Sequence, residues 1–244
     1  MSNLRKRLWV VCIGAPIISG LILFAPPSLM LLALVVVCLI TVYELDQMAQ
    51  DHLKWLRWFI WTLVILFVFS SPVNVMIFSG LIAWCFSLIV PKVSRLSQPY
   101  ILLVMTLVNV CVGIRSAWLI WGDSSHLLFN IIFLTWATDS AAYLVGSKWG
   151  RHRLVPNISP NKTLEGFLAS LLVGIIWIWL PTMAACLIVL AGIWGDLFES
   201  ILKRSVGIKD SGTIFPGHGG ILDRIDSLIA TWFVGFICLQ YQLI

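Results

Sequence analysis

The sequence predicts an all-α integral membrane protein with about nine transmembrane helices, its N-terminus in the cytoplasm and its C-terminus outside. Three observations predict this class. The 244 residues have a mean hydropathy of +0.98, with 60% hydrophobic and only 11% charged residues. Apolar runs of 15 to 23 residues fill most of the chain, and a water-soluble fold could not bury so much apolar surface. The third observation is the placement of the basic residues.

The apolar runs follow one another with short connections. Pro26, Pro27, Pro72 and Pro181 separate adjacent runs and indicate tight hairpins. We expect helices, in chain order, at 8–25, 28–43, 55–70, 73–90, 99–121, 126–146, 166–180, 182–202 and 221–243.

Basic residues collect on one side of this arrangement. With the N-terminus inside, the cytoplasmic loops are 1–7, 44–54, 91–98, 147–165 and 203–220. Thirteen of the 16 Lys and Arg lie in these loops. Arg57 and Arg224 lie within one turn of an inner end, and Arg115 is the exception. This positive-inside bias favours nine helices in a single multi-pass domain, with the inner membrane of a bacterium as the expected location.

Composition also argues against other classes. Loop bias and lipid headgroups account for the net charge of +5, so no nucleic-acid partner is expected. All six cysteines lie within apolar runs and none forms C-x-x-C. We therefore expect neither a zinc site nor disulfides.

The two halves of the domain differ in where their acidic residues fall. Residues 1–130 carry them only in predicted loops, at Glu44, Asp46, Asp51 and Asp123, and we interpret this half as a helical scaffold. Residues 131–244 form the predicted catalytic half, because acidic residues lie within or at the ends of its apolar runs. Charge at membrane depth usually faces a polar interior. These acidic residues are Asp139, Asp196, Glu199, Asp223 and Asp226.

Helical spacing places several of these charges on common faces. Asp196, Glu199 and Lys203 follow an i, i+3, i+7 pattern, and Asp223 and Asp226 are three apart. Oxygen ligands of this kind suit Mg²⁺, and lysines and arginines beside such a metal are typical of phosphoryl or nucleotidyl transfer. The small residues of the same helices would permit close approach. They are Ala141, Ala142, Gly146, Gly192 and Gly195.

A rival interpretation is an ion-coupled transporter that uses intramembrane carboxylates. It predicts acidic residues near helix midpoints and broken helices in both halves. A catalytically inactive scaffold is a further alternative, which the intact charged set disfavours.

Three segments resemble one enzyme family. Residues 200–226, SILKRSVGIKDSGTIFPGHGGILDRID, resemble the signature of phosphatidate cytidylyltransferases, also called CDP-diacylglycerol synthases. The loop ISPNKTLEG at 158–166 and the DSAAY helix at 139–143 are similar to two further segments of that family. The likeness covers about residues 130–230. The spacing of the aspartate motif of CDP-alcohol phosphotransferases is absent, because Asp223 and Asp226 are three apart.

The resemblance implies CMP transfer from CTP to phosphatidate at the cytoplasmic membrane face. It implies Mg²⁺ as the cofactor, and the number of carboxylates allows two metal ions. It implies metal binding by Asp196, Asp223 and Asp226, which with Lys203 form the predicted catalytic set. Phosphate binding is expected from Lys162, Lys203, Arg204, Lys209 and Arg224, with Ser159, Ser200 and Asp139 in support. His218 is interpreted as phosphate or loop support, with acid–base catalysis as the alternative. Membrane lipid is an expected partner, and a homodimer is considered.

Overall fold

The described residues form a helical bundle with a small β-hairpin. The computed structural model describes residues 3–49, 58, 61–62, 64–66, 69, 72–89, 98–156, 158–212 and 219–244. Its helices are α1 (Asn3–Phe24), α2 (Pro27–Met48), α3 (Val73–Ile89), α4 (Gln98–Asp123), α5 (Ser125–Trp149), α6 (Leu164–Ile175), α7 (Thr182–Ser205) and α8 (Leu222–Gln240). Strands β1 (Arg153–Val155) and β2 (Ser159–Thr163) form an antiparallel pair.

Helix ends coincide with residues that stop or cap helices. Pro27 occupies the first helical position of α2, where its missing N–H removes no helical hydrogen bond. Ser124 accepts a hydrogen bond from Leu127 N at 3.2 Å at the start of α5, and Thr163 accepts one from Gly166 N at 3.2 Å at the start of α6.

Four of these helices are long and apolar enough to cross a membrane by length and composition. They are Pro27–Met48, Ile101–Asp123, Ser125–Trp149 and Thr182–Ser205. Eight of the nine predicted runs correspond to helices α1 to α8, and the run at 55–70 lies largely outside the described residues. The count of nine spans and the sides of the two termini stay predictions.

The prediction of an all-α fold missed the hairpin at 153–163, which lies in the polar loop expected at 147–165. Helix α6 also ends at Ile175, short of the predicted 180. With 12 residues it is about 18 Å long, well short of a hydrocarbon core of about 30 Å.

Glycines set the helix contacts that position the site. A Cβ at Gly195 of α7 would lie 2.5 Å from the carbonyl oxygen of Asp226 in α8, and one at Gly192 would lie 3.1 Å from Thr231 Cγ2. A Cβ at Gly146 would lie 2.9 Å from Thr163 Oγ1. The contacts at Gly192 and Gly195 confirm the predicted close approach of α7 and α8, whereas the contact at Gly146 is with Thr163 at the end of β2.

Candidate active site

Charged side chains from α7 and α8 meet at the end of the bundle where α7 ends and α8 begins. Asp196, Glu199 and Lys203 share one face of α7, and Asp223 and Asp226 lie in the first turns of α8. The missing side chain of Gly195 lets the α8 backbone approach α7 at Asp226. The helical spacing and this close contact bring charges of the two helices together.

Three carboxylates form the centre of this cluster. One oxygen each from Asp196, Glu199 and Asp226 lies within 4.8 Å of the other two. Ser227 N donates to Asp226 Oδ1 at 2.6 Å, and Ser200 Oγ donates to Asp196 Oδ1 at 3.5 Å. Glu199 is 2% exposed, and within the described residues its Oε1 makes no hydrogen bond. Three acidic groups so close together repel one another unless positive charge lies beside them, as lysine side chains, a metal ion or protons.

Asp223, predicted as a metal ligand, is bound by other groups. Its Oδ1 lies 2.6 Å from Lys203 Nζ. Its Oδ2 accepts hydrogen bonds from Ser211 N at 2.8 Å and Gly220 N at 2.7 Å, and lies 2.9 Å from Ser211 Oγ. In this arrangement Asp223 fixes the chain on both sides of residues 213–218, while Glu199 joins Asp196 and Asp226 in the carboxylate cluster.

Lys203 lies between two carboxylates. Its Nζ is 2.5 Å from Glu199 Oε2 and 2.6 Å from Asp223 Oδ1, and its side chain is only 13% exposed. The lysine therefore links the carboxylate cluster to the residues that Asp223 holds. Its positive charge offsets part of the negative charge of both acids.

A second lysine reaches the cluster from the β-hairpin. Lys162 of β2 places Nζ 2.7 Å from Asp196 Oδ2, and its side chain is 21% exposed. Asp139 of α5 lies near enough to Asp196 and Lys162 for their charges to interact. Ser159, also on β2, is partly buried. The unpredicted hairpin thus carries one of the predicted phosphate-binding residues to the carboxylates.

Other predicted residues lie at the periphery or outside the described residues. Arg204 is exposed and donates to Ile208 O at 3.2 Å. Lys209 and Arg224 are also exposed. His218 lies outside the described residues, so its predicted role stays a prediction.

The β-hairpin that carries Lys162 is closed by the pair of His152 and Glu165, which lies outside the candidate membrane spans. Glu165 Oε1 lies 2.7 Å from His152 Nδ1, and both oxygens of Glu165 accept from His152 N at 3.2 and 3.3 Å. Glu165 also lies in the first turn of α6, beside unpaired helix N–H groups. Its own backbone N–H and the His152 ring lower the pKa of Glu165 to about 2.

Sequence reasoning missed Glu44, which it placed in a loop of the scaffold half. Helix α2 continues to Met48, and Glu44 is 2% exposed within it. Its carboxylate accepts hydrogen bonds from Ile221 N and Leu222 N, and it lies beside Ser211 Oγ, which also contacts Asp223. The sequence carried a signal that helix α2 extends past Glu44. The buried stripe of α2 continues at helical spacing through Thr41, Glu44, Leu45 and Met48.

The comparisons with known proteins match the chain to one protein family and to named bacterial relatives. The sequence pattern described as "Cytidylyltransferase family" matches residues 5–242. The chain is 39% identical over 138 residues to a protein of Staphylococcus haemolyticus (strain JCSC1435) named phosphatidate cytidylyltransferase, covering 51% of this chain and 53% of that protein. A Staphylococcus aureus (strain COL) protein of the same name is 38% identical, with the same coverage.

A third relative carries no functional name. The Escherichia coli (strain K12) protein named "Uncharacterized protein YnbB" is 41% identical over 145 residues, covering 52% of this chain and 49% of that protein. The alignments span about half the length of the curated relatives that the chain matches.

Proposed function

Because the chain belongs to the cytidylyltransferase family, we propose that it transfers CMP from CTP to phosphatidate, giving CDP-diacylglycerol and pyrophosphate. One structural observation carries the proposal. The oxygens of Asp196, Glu199 and Asp226 lie within 4.8 Å of one another, with Lys162 and Lys203 paired to members of the cluster. The names of the staphylococcal relatives support the choice of substrates.

The reaction makes one bond and breaks one. An oxygen of the phosphatidate phosphate bonds to the α-phosphorus of CTP. The bond from that phosphorus to the oxygen bridging to the β-phosphorus breaks, and pyrophosphate leaves with the electron pair. The nucleophile is already an anion near pH 7, so the site needs no strong general base. Its main task is electrostatic, because two polyanions must meet and charge builds on the leaving group.

The carboxylate cluster suits Mg²⁺. Asp196, Glu199 and Asp226 would hold the ion, and Glu199 Oε1, which has no hydrogen-bond partner among the described residues, is a ligand atom available for it. Bound Mg²⁺ would neutralise charge on the phosphate oxygens. The chain's own part is to hold the three carboxylates together through the α7–α8 contact at Gly195.

The two lysines supply positive charge at opposite edges of the cluster. Lys162 reaches Asp196 from the hairpin, and Lys203 reaches Glu199 and Asp223 from the last turn of α7. Phosphates drawn to these lysines would arrive beside the carboxylates. We assign Lys162 and Lys203 to substrate phosphates, with Arg204, Lys209 and Arg224 on the exposed approach.

This end of the bundle would face the cytoplasm, where CTP is available. The basic loops support this orientation, since Lys and Arg favour the cytoplasmic side. On that side of the membrane, a phosphate anchored in the inner leaflet could meet a soluble triphosphate.

The decisive experiment uses purified protein in detergent with CTP, Mg²⁺ and phosphatidate. We expect pyrophosphate and CDP-diacylglycerol in equal amounts, and neither product when diacylglycerol replaces phosphatidate. Asp196→Asn should abolish most of the activity, whereas Asp123→Asn, exposed at the far end of α4, should not. Pyrophosphate release without phosphatidate would contradict the proposal. So would the absence of CDP-diacylglycerol when the purified protein is correctly folded. Ion uptake by proteoliposomes without CDP-lipid synthesis would favour the transporter alternative.

A further inference from the structure

A single carboxylate from the first half of the chain fixes the start of α8. Glu44 Oε1 accepts a hydrogen bond from Ile221 N at 2.8 Å, and Glu44 Oε2 accepts from Leu222 N at 2.9 Å. Oε2 also lies 3.0 Å from Ser211 Oγ, whose single hydroxyl proton it shares with Asp223 Oδ2. The side chain is buried, at 2% exposure. A buried carboxylate that accepts from two backbone N–H groups and lies beside a shared hydroxyl is a built contact rather than a surface pairing.

The position of Glu44 satisfies a specific need of α8. The first N–H groups of a helix have no partner within the helix, and a negative charge there is favourable. Gly212 and Gly220 leave room for the carboxylate. A Cβ at Gly212 would lie 2.9 Å from Glu44 Oε1, and one at Gly220 would overlap both Glu44 oxygens. Backbone and side chain are therefore fitted to each other.

Hydrogen bonds and ion pairs connect Glu44 to the carboxylate cluster. Ser211 Oγ contacts both Glu44 Oε2 and Asp223 Oδ2. Asp223 contacts Lys203, and Lys203 contacts Glu199. Any shift of Ser211 or of the first turn of α8 would therefore change where Lys203 and Glu199 lie.

We propose that Glu44 is a positioning residue for the site, acting through Ser211 and Asp223 to hold the first turn of α8 and Lys203 in register with the carboxylate cluster. The inference rests on the proposed function for its kinetic readout but not for its structural one. Within the described residues Glu44 contacts Ile221, Leu222 and Ser211 and reaches the cluster only through them, so we expect its effect to fall on turnover more than on binding.

The test compares Glu44→Gln with Thr41→Val. Glutamine keeps the size of the side chain but offers one acceptor oxygen, so at least one donor loses its partner. Thr41 lies one turn earlier on α2, is fully buried, and donates only within its own helix, to Val37 O at 2.7 Å. We expect Glu44→Gln to lower kcat roughly 10- to 150-fold, as for loss of one charge-assisted hydrogen bond, with much smaller changes in either KM. Thr41→Val should leave kcat near wild type.

Amide hydrogen exchange gives a readout that needs no activity. The amides of Ile221 and Leu222 should exchange faster in Glu44→Gln than in the wild type. Their exchange rates should be unchanged in Thr41→Val. Ser211→Ala, which keeps Glu44, should lower kcat less than Glu44→Gln, and the double variant should be less than additive. Ser211→Ala also keeps the proposal testable if Glu44→Gln fails to fold.

The outcomes separate two failures. If the wild-type protein makes no CDP-lipid, the proposed function fails, and exchange alone decides the role of Glu44. If the wild type is active but Glu44→Gln matches Thr41→Val in kcat, the positioning role is wrong. Unchanged exchange at Ile221 and Leu222 would also overturn it.

Discussion

The ammonium nitrogen of Lys203 lies 2.6 Å from Asp223 Oδ1 and joins the last turn of α7 to the first turn of α8. The same nitrogen lies 2.5 Å from Glu199 Oε2. The side chains of Glu199, Lys203 and Asp223 are 3%, 13% and 8% exposed. Removing one member of a buried pair leaves an uncompensated charge, which is more damaging than losing an exposed pair.

We therefore expect Lys203→Met to destabilise the protein as well as to lower activity. Loss of one partner from a buried ion pair is worth about 3–5 kcal/mol. Asp223→Asn should be destabilising too, and the double variant should be less damaged than the sum of the two. The measurement is a double-variant cycle on thermal unfolding in detergent, with Lys148→Met, an exposed lysine of α5, as the control. Strict additivity would show that the 2.6 Å contact carries no coupling.

Metal dependence should distinguish Glu199 from Asp223. Asp196→Asn, Glu199→Gln and Asp226→Asn each remove a proposed ligand and should raise the Mg²⁺ concentration for half-maximal activity. The rise should be roughly tenfold or more, since one charge-assisted contact is worth about 1.5–3 kcal/mol. Asp223→Asn should lower activity and stability with a smaller change in the Mg²⁺ requirement, because its oxygens are bound by Lys203, Ser211 and Gly220. The reverse pattern, with Asp223→Asn changing the Mg²⁺ requirement and Glu199→Gln not, would support the ligand set predicted from sequence, Asp196, Asp223 and Asp226.

Lys162 gives a test of substrate binding from the hairpin. Lys162→Met removes the charge 2.7 Å from Asp196 and keeps most of the side-chain length. We expect kcat/KM for CTP to fall roughly 10- to 150-fold. Lys148→Met is the matched control, since Lys148 is exposed in the last turn of α5. Equal effects of the two substitutions would mean that Lys162 acts only through the overall charge of this face.

Local spacing predicted much of the site. The i, i+3 and i, i+7 positions placed Asp196, Glu199 and Lys203 on one face of α7, and the glycines of α7 predicted its close contact with α8. The choice between Asp223 and Glu199 for the carboxylate cluster could not be read from spacing. It depends on the tertiary placement of Ser211 and Gly220, whose N–H groups bind Asp223.

Two other features lay beyond the reach of sequence patterns. Glu44 meets Ser211 across 167 residues, and no local pattern specifies such a partner. The β-hairpin has strands of three and five residues in a polar loop, too short for a clear alternating pattern. Its strands are fixed by pairing and by the contacts around Thr163.

The pair formed by Glu165 and His152 predicts a pH effect outside the candidate spans. The pKa of Glu165 is lowered from 4.5 to about 2 in the folded protein. A lowered pKa means that the ionised form is favoured by folding, so its stabilisation is present above pH 4.5 and is lost as the pH falls toward 2. The difference in thermal stability between wild type and Glu165→Gln should therefore shrink as the pH falls below 4.5. A difference that grows on acidification has the wrong sign for this contact.

Gly195→Ala tests whether close packing of α7 and α8 holds the carboxylates together. A Cβ there would lie 2.5 Å from Asp226 O and 2.8 Å from Ala230 Cβ, and the first contact is with backbone, which cannot rotate away. The helices must separate, so we expect about 1–3 kcal/mol of destabilisation from overpacking. Because the displaced backbone carries Asp226, the Mg²⁺ requirement should rise as well. Gly122→Ala is the matched control, since a Cβ at that helical position of α4 meets nothing within 4 Å. There alanine should be neutral or stabilising through its higher helix propensity. Thermal unfolding and Mg²⁺ titration of the two variants decide the matter. If Gly195→Ala loses stability but keeps the wild-type Mg²⁺ requirement, the contact supports the fold without setting the spacing of the carboxylates.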